Sequence, residues 1–264
     1  MSDVINQGSV DVSIDSNGIG TITFFHPMSN SLPGQILRKL ADTIEALGKD
    51  ATVKVIVLQS SGDKAFCAGA SFDELIAIQD LETGLHFFSG FASVINACRK
   101  APKFILGRVQ GKAVGGGVGM ASAVDYCLAT KHAAVKLSEL AVGIGPFVVG
   151  PAVERKVGLS AMSELAINAT EWRTAEWAKN KGLYTDVFDT VEEMDAEIQK
   201  LALKLAQSNP EAMALLKAVF WEGTEHWDQL LIERAGYSGK LVLSDFTVNA
   251  INAFKQKKNK KIIK

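Results

Sequence analysis

Two glycine-rich turns carry most of the chemistry that this sequence permits. In Ala65-Phe66-Cys67-Ala68-Gly69-Ala70-Ser71 the small residues at 68 to 70 leave the backbone open to close approach. The segment that follows, Phe72-Asp73-Glu74-Leu75, has the acids of a helical first turn, so unpaired N–H groups point back toward the loop. In Val114-Gly115-Gly116-Gly117-Val118 three consecutive glycines precede a second helix and offer the same thing. Either loop alone is weak evidence, since glycines before helices usually serve only tight packing. Two such N–H groups converging on one oxygen would hold the negative charge that develops when a carbonyl becomes an enolate.

Other schemes find no support in the residue order. There is no GxSxG elbow, no GxxxxGK phosphate loop and no HExxH helix, and Met120 stands where GxGxxG needs its last glycine. His26, His86, His132 and His226 are scattered without ligand spacing. Cys67, Cys98 and Cys127 form no CxxC pair and read as reduced packing cysteines. Asn168-Ala169-Thr170 fits a glycosylation sequon, but the polar start MSDVINQGSV carries no secretory signal, so the sequon reads as chance and the cytoplasm as the compartment.

These turns must be positioned by a sizeable fold. The 264 residues, 47% of them apolar and 22% charged, exclude a disordered chain and a disulfide scaffold. The longest uncharged apolar-rich run, residues 141 to 153, is too short for a membrane span, which needs about 20 residues. The last ten residues, KQKKNKKIIK, hold six lysines, leaving 22 basic against 29 acidic residues elsewhere. An acidic body argues against a nucleic-acid binder, and the tail reads as a solvated segment or a local contact for phosphate.

Alternation at Val10–Ile14 and Gly20–Phe25 predicts a hairpin-like pair, and Leu37, Leu40, Ile44 and Leu47 predict a helix closed by Gly48. Val53–Leu58 and Phe104–Val109 read as buried strands, Thr83–Ala97 as a helix, and Tyr126–Ala129 and Ala134–Leu137 as short strands. From Val149 onward the pattern is helical throughout, with segments at 149–157, 160–168, 174–181, 191–207, 210–221 and 227–243. The expectation is an α/β core over residues 1–190 and a helical region over 191–264 that ends in the lysine-rich tail. Its amphipathic helices could form an oligomer interface or only pack on their own core.

The FCAGAS segment, the GKAVGGGVG segment and the SELAVGIGP segment resemble, in order and spacing, the signature of the enoyl-CoA hydratase/isomerase (crotonase) superfamily. The resemblance extends from the HPMSNSL turn to the terminal helices. It implies a spiral of ββα units with a C-terminal helical extension, assembled as a homotrimer or hexamer, and an acyl-CoA thioester as substrate. No separate cofactor is implied, because coenzyme A enters with the substrate.

Carried over by residue, the resemblance places the two oxyanion donors at the N–H groups of Ala70 and Gly116. It puts the contact for the adenine amine at the carbonyl of Ala68. Of the two glutamates that handle water in hydratases, Glu139 is present and the other position is Gly119, 20 residues earlier. The position of the aspartate in dienoyl isomerases and dehalogenases is Phe147. Two further departures are Ser71, where the family has an aspartate, and Asp73, where a lysine is frequent. Phe72, Phe87, Phe88 and Phe147 are candidates for the acyl pocket, and Lys255, Lys257 or Lys258 for the phosphates of coenzyme A.

One base can move a double bond, whereas syn addition of water draws on two carboxylates. The expectation is therefore an isomerase in which Glu139 does the proton transfer. A hydratase with a second acid from Asp73 or Glu74, an acyl-CoA decarboxylase and a non-catalytic acyl-CoA-binding protein are the alternatives.

Overall fold

The computed structural model describes residues 7–262, with side chains described through residue 253. Strands β1 (Ser9–Ile14) and β2 (Ile19–Phe25) form the expected antiparallel hairpin. Helix α1 (Gly34–Lys49) follows, burying Ile36, Leu37, Leu40, Ile44 and Leu47 on one face as its spacing predicts. After it the chain repeats a strand, a second strand and a helix three times. The repeats are β3 (Val55–Ser60), β4 (Ala65–Cys67) and helices α2 (Phe72–Leu75) and α3 (Leu81–Lys100); β5 (Ile105–Val109), β6 (Lys112–Val114) and α4 (Gly116–Ala123); and β7 (Tyr126–Thr130), β8 (Val135–Lys136) and α5 (Gly150–Ile167).

The first strand of each repeat joins one six-stranded sheet, ordered β1-β2-β3-β5-β7-β9, and the second joins a small parallel sheet, β4-β6-β8. This is the expected spiral of ββα units. Strand alternation divides the core: Ile56 and Leu58 face the large cluster shared with α1, α3 and α4, while Val55 and Val57 face the opposite side of the sheet. The three cysteines are free and buried, and burial pushes each thiol up to about 12, as packing cysteines should be.

The helical reading from Val149 onward is corrected at one place. Asp186–Phe188 forms β9, the parallel edge strand beside β7. Three residues are too few to display an alternation, so sheet pairing decides them. The break near residue 158 is present, because Gly158 adopts φ +75° between the two halves of α5.

Helices α6 (Ala175–Asn180), α7 (Val191–Ala206), α8 (Pro210–Phe220), α9 (Trp227–Leu241) and α10 (Asp245–Ile262) complete the chain. Met194, Ile198 and Ala202 of α7 cover the second face of the main sheet. Helix α9 crosses α3 so closely that a β-carbon at Gly84 would lie 2.9 Å from the Cα of Gly239. Lys217 of α8 reaches into the core and pairs with Asp125 at 2.8 Å, and Asp125 also accepts from the Ile105 N–H and the Trp221 indole. No helix among the described residues is long and apolar enough to cross a membrane.

Candidate active site

The turn 26–30 holds the first loop in place. Asn30, with φ +54°, is buried; its Oδ1 accepts from the His26 N–H at 2.8 Å, and its amide donates to the carbonyls of Ser61 and Ala65, both at 2.9 Å. The Asn30 carbonyl accepts from the Ala68 N–H at 3.2 Å. Beyond Ala68 the chain runs past Leu32, whose N–H donates to the Gly69 carbonyl and whose carbonyl accepts from the Ser71 N–H. In such a parallel bridge the residue between the two partners turns its own N–H the other way. That residue is Ala70, and its N–H has no acceptor among the described residues. Gly69 takes φ +92°, a conformation that favours glycine.

The second loop begins at β6. Gly115, at φ +52°, turns the chain and donates its N–H to the Lys136 carbonyl at 2.9 Å. Its own carbonyl accepts from Val118 and Gly119, starting α4. As the first residue of that helix Gly116 has no intrahelical acceptor, and its N–H is likewise unpaired among the described residues. The two loops touch, because a β-carbon at Gly69 would stand 3.3 Å from the Val114 carbonyl oxygen and 4.0 Å from the Gly116 nitrogen. Two free donors on touching loops can share one oxygen.

Every residue of α4 is buried, and its small side chains let neighbours sit directly on its backbone. The Phe91 ring occupies the place of a side chain at 116, with Cζ 2.1 Å from where a β-carbon would be. The Cys67 carbonyl does the same at 117, at 2.5 Å. Sequence reasoning missed Phe91, for nothing in a helical run distinguishes the aromatic residue that will back a glycine.

Glu139 follows β8 and opens a 3-10 turn over Leu140–Val142, its carbonyl accepting from Val142 and Ile144. Its Oε1 rests on Gly115, 2.8 Å from where a β-carbon would be. Its Oε2 is buried and has no hydrogen-bond partner among the described residues. Burial pushes the acid up to about 7, offset in part by its own backbone N–H. A carboxyl poised there can accept and return a proton near neutrality.

The remaining candidates fall in different surroundings. Phe72 is half-buried in a patch with Leu75, Ile76, Phe88, Val142 and Ile144, the last two in the turn that Glu139 opens. Phe147 packs edge-on against Tyr237 of α9, ring centres 5.9 Å apart. Phe87 is buried and meets Phe88 edge-on. Glu74 is engaged at the start of α1, where its Oε2 accepts from the Gly34 N–H at 2.7 Å. Asp73 is half-buried on α2. The side chains of Lys255, Lys257 and Lys258 lie outside the described residues. Position 119 has Val149 over it, with Cγ1 2.5 Å from where a β-carbon would be.

Two sheets fed by repeated ββα units, with C-terminal helices, make this a crotonase fold. It matches the crystal structure of an enoyl-CoA hydratase from Bacillus halodurans at a TM-score of 0.85, over 92% of this chain and 99% of that one, at 20% identity. The chain belongs to the enoyl-CoA hydratase/isomerase family, whose sequence profile matches residues 15–259. It is 32% identical over 235 residues to the mitochondrial methylglutaconyl-CoA hydratase of Mus musculus, covering 87% of this chain and 74% of that protein. An enoyl-CoA hydratase structure from Mycobacterium smegmatis is 28% identical with a TM-score of 0.77, over 94% and 96% of the two chains. The protein is thus a crotonase-superfamily acyl-CoA enzyme.

Proposed function

We propose that this enzyme moves the double bond of an enoyl-CoA using one carboxylate. Glu139 removes a proton from the α-carbon of a 3-enoyl thioester. The N–H groups of Ala70 and Gly116 hold the thioester oxygen as it becomes a dienolate, and Glu139 returns the proton to the γ-carbon. Nothing is consumed. Each backbone donor is worth about 3 kcal/mol of transition-state stabilisation.

The observation that carries this reading is the buried, unpartnered Oε2 of Glu139, together with the lack of a carboxylate at position 119. Leaving such an acceptor unpaired costs about 1–3 kcal/mol, which is tolerable where the atom must receive a proton. In the same reading the Ala68 carbonyl holds the adenine amine, Phe72 and Phe147 line the acyl pocket, and Lys257 meets the phosphates. The assembly is a trimer or hexamer, for which the exposed Leu215, Leu216, Val219 and Phe220 of α8 offer an apolar contact.

Hydration is the second reading, favoured by the name of the relative at 32% identity. Incubation in heavy water with but-3-enoyl-CoA and but-2-enoyl-CoA, followed by NMR, separates the two. Formation of but-2-enoyl-CoA from the 3-enoyl thioester, with the γ-carbon carrying mainly the proton taken from the α-carbon, is the expected result. Hydroxybutyryl-CoA as the main product from both substrates would replace isomerisation by hydration.

A further inference from the structure

Gly115 caps α4 and its carbonyl accepts from the N–H of Gly119, the fourth residue of the helix, at 3.1 Å, so the two glycines lie one turn apart. Glu139 covers the first and Val149 covers the second. At 119 a β-carbon would lie 2.5 Å from Cγ1 of Val149 and 2.8 Å from its Cβ, with Cδ1 of Ile95 at 3.6 Å. Both neighbours are buried and apolar. Val149 is held from behind by α5, where its carbonyl accepts from the Val153 N–H at 3.0 Å.

The position matters because the two possible reactions differ in one requirement. Migration needs only a base that gives back the proton that it took. Hydration needs a water whose oxygen bonds to the β-carbon and whose proton goes to the α-carbon, and a held water needs two to four polar partners. One turn along the helix from the Glu139 carboxylate, the space is filled by the methyl groups of Val149 and walled by Ile95. A carboxylate at 119 would have to enter that same space.

We infer that Val149 is a specificity-determining residue that fills the space a reacting water would need beside Glu139, and that together with Gly119 it commits the enzyme to returning the proton to carbon. This rests on the isomerase reading of the site. It also makes the two positions a coupled pair: a glutamate at 119 requires a smaller residue at 149.

The test compares wild type, Gly119→Glu, Val149→Ala and the double variant. But-2-enoyl-CoA reports hydration and but-3-enoyl-CoA reports isomerisation, with butyryl-CoA binding and thermal melts as controls. Gly119→Glu alone should hydrate no faster than wild type, and the double variant should hydrate at least about tenfold faster than Gly119→Glu. A folded double variant that binds butyryl-CoA normally and hydrates no faster than Gly119→Glu overturns the inference.

Should the double variant fail to fold, Val149→Ala decides alone. Given but-3-enoyl-CoA, its ratio of hydroxybutyryl-CoA to but-2-enoyl-CoA should rise at least about threefold over wild type. An unchanged ratio overturns the inference. A wild type that does not isomerise but-3-enoyl-CoA removes the isomerase reading, while the hydration comparison between the two Gly119→Glu proteins still decides the role of Val149.

Discussion

Glu139 and Gly115 are in direct contact, with Oε1 of the acid 2.8 Å from the place where a side chain at 115 would start. The contact sets the carboxylate beside the N-terminus of α4, one residue from the free Gly116 N–H. In the proposed reaction the base and one oxyanion donor are thereby fixed by the same short piece of backbone.

Gly115→Ala should therefore damage catalysis without touching a reacting group. Alanine at φ +52°, ψ −114°, a region that only glycine adopts readily, costs about 1–3 kcal/mol, and its methyl group displaces the carboxylate. A shift of about 1 Å is enough to lose on the order of a hundredfold in rate. Turnover of but-3-enoyl-CoA should fall by that order while butyryl-CoA affinity stays near wild type. Equal turnover in a folded variant would refute the contact as a positioning device.

The pH dependence follows from the direction in which the acid is shifted. With Glu139 held near 7, kcat/KM should rise about tenfold per pH unit below 7 and level off above 8. Stability runs the other way. A carboxyl whose folded value lies above its unfolded 4.5 favours the fold fully below that value, and the contribution is lost as pH rises toward 7. Glu139→Gln should therefore melt like wild type near pH 4 but be more stable at pH 8, by at most about 3 kcal/mol, with proton exchange reduced at least about a hundredfold. Parallel wild-type and variant melts across this range would contradict the shift.

Phe91 and Gly116 should behave as a pair. Any β-carbon at 116 meets the ring, so Gly116→Ala is overpacked by about 1–3 kcal/mol although its N–H survives. Gly116→Pro, which removes the donor, meets the same ring and is informative only in a Phe91→Ala background. In urea titrations Gly116→Ala/Phe91→Ala should recover stability relative to Phe91→Ala alone by more than additivity allows. Strictly additive losses would show that the ring yields freely.

Lys217→Met is expected to be the most destabilising change away from the site. It removes the cation paired with the Asp125 carboxylate in the core, leaving that carboxylate the Ile105 and Trp221 N–H groups and the field of Lys156, and breaking a buried pair from one side costs about 3–5 kcal/mol. Asp125→Asn with Lys217→Met should return part of that loss. A single variant that melts within a degree of wild type would place the pair at the protein surface in solution.

The parts legible in the sequence are those in which one residue type repeats with the period of its element. Leu37, Leu40 and Ile44 along α1 betray their face without help, whereas Val55–Leu58, apolar at every position, shows only that the strand is buried on both sides. The small sheet does not: β4 and β6 have three residues each and β8 has two, too few for a period to appear, and they follow or precede loops whose glycines dominate the pattern. The two loops were found through their glycine pattern, and Glu139 through the resemblance of the SELAVGIGP segment to the family signature. Val149 was not, since a valine in an apolar run looks the same whether it fills a core or a reaction site. Only the distance to Gly119 distinguishes it.

The crossing of Gly84 and Gly239 ties the far end of the chain to the chemistry. Backbone lies on backbone there, so α9 fixes the height of α3, and α3 carries the Phe91 ring that backs Gly116. Proteolytic nicking between α8 and α9, followed by loss of the released C-terminal peptide, would leave Glu139, Ala70 and Gly116 in the remaining fragment. The fragment would keep the carboxyl, both unpaired N–H groups and the Phe91 ring, and would lose only the contact that sets the height of that ring.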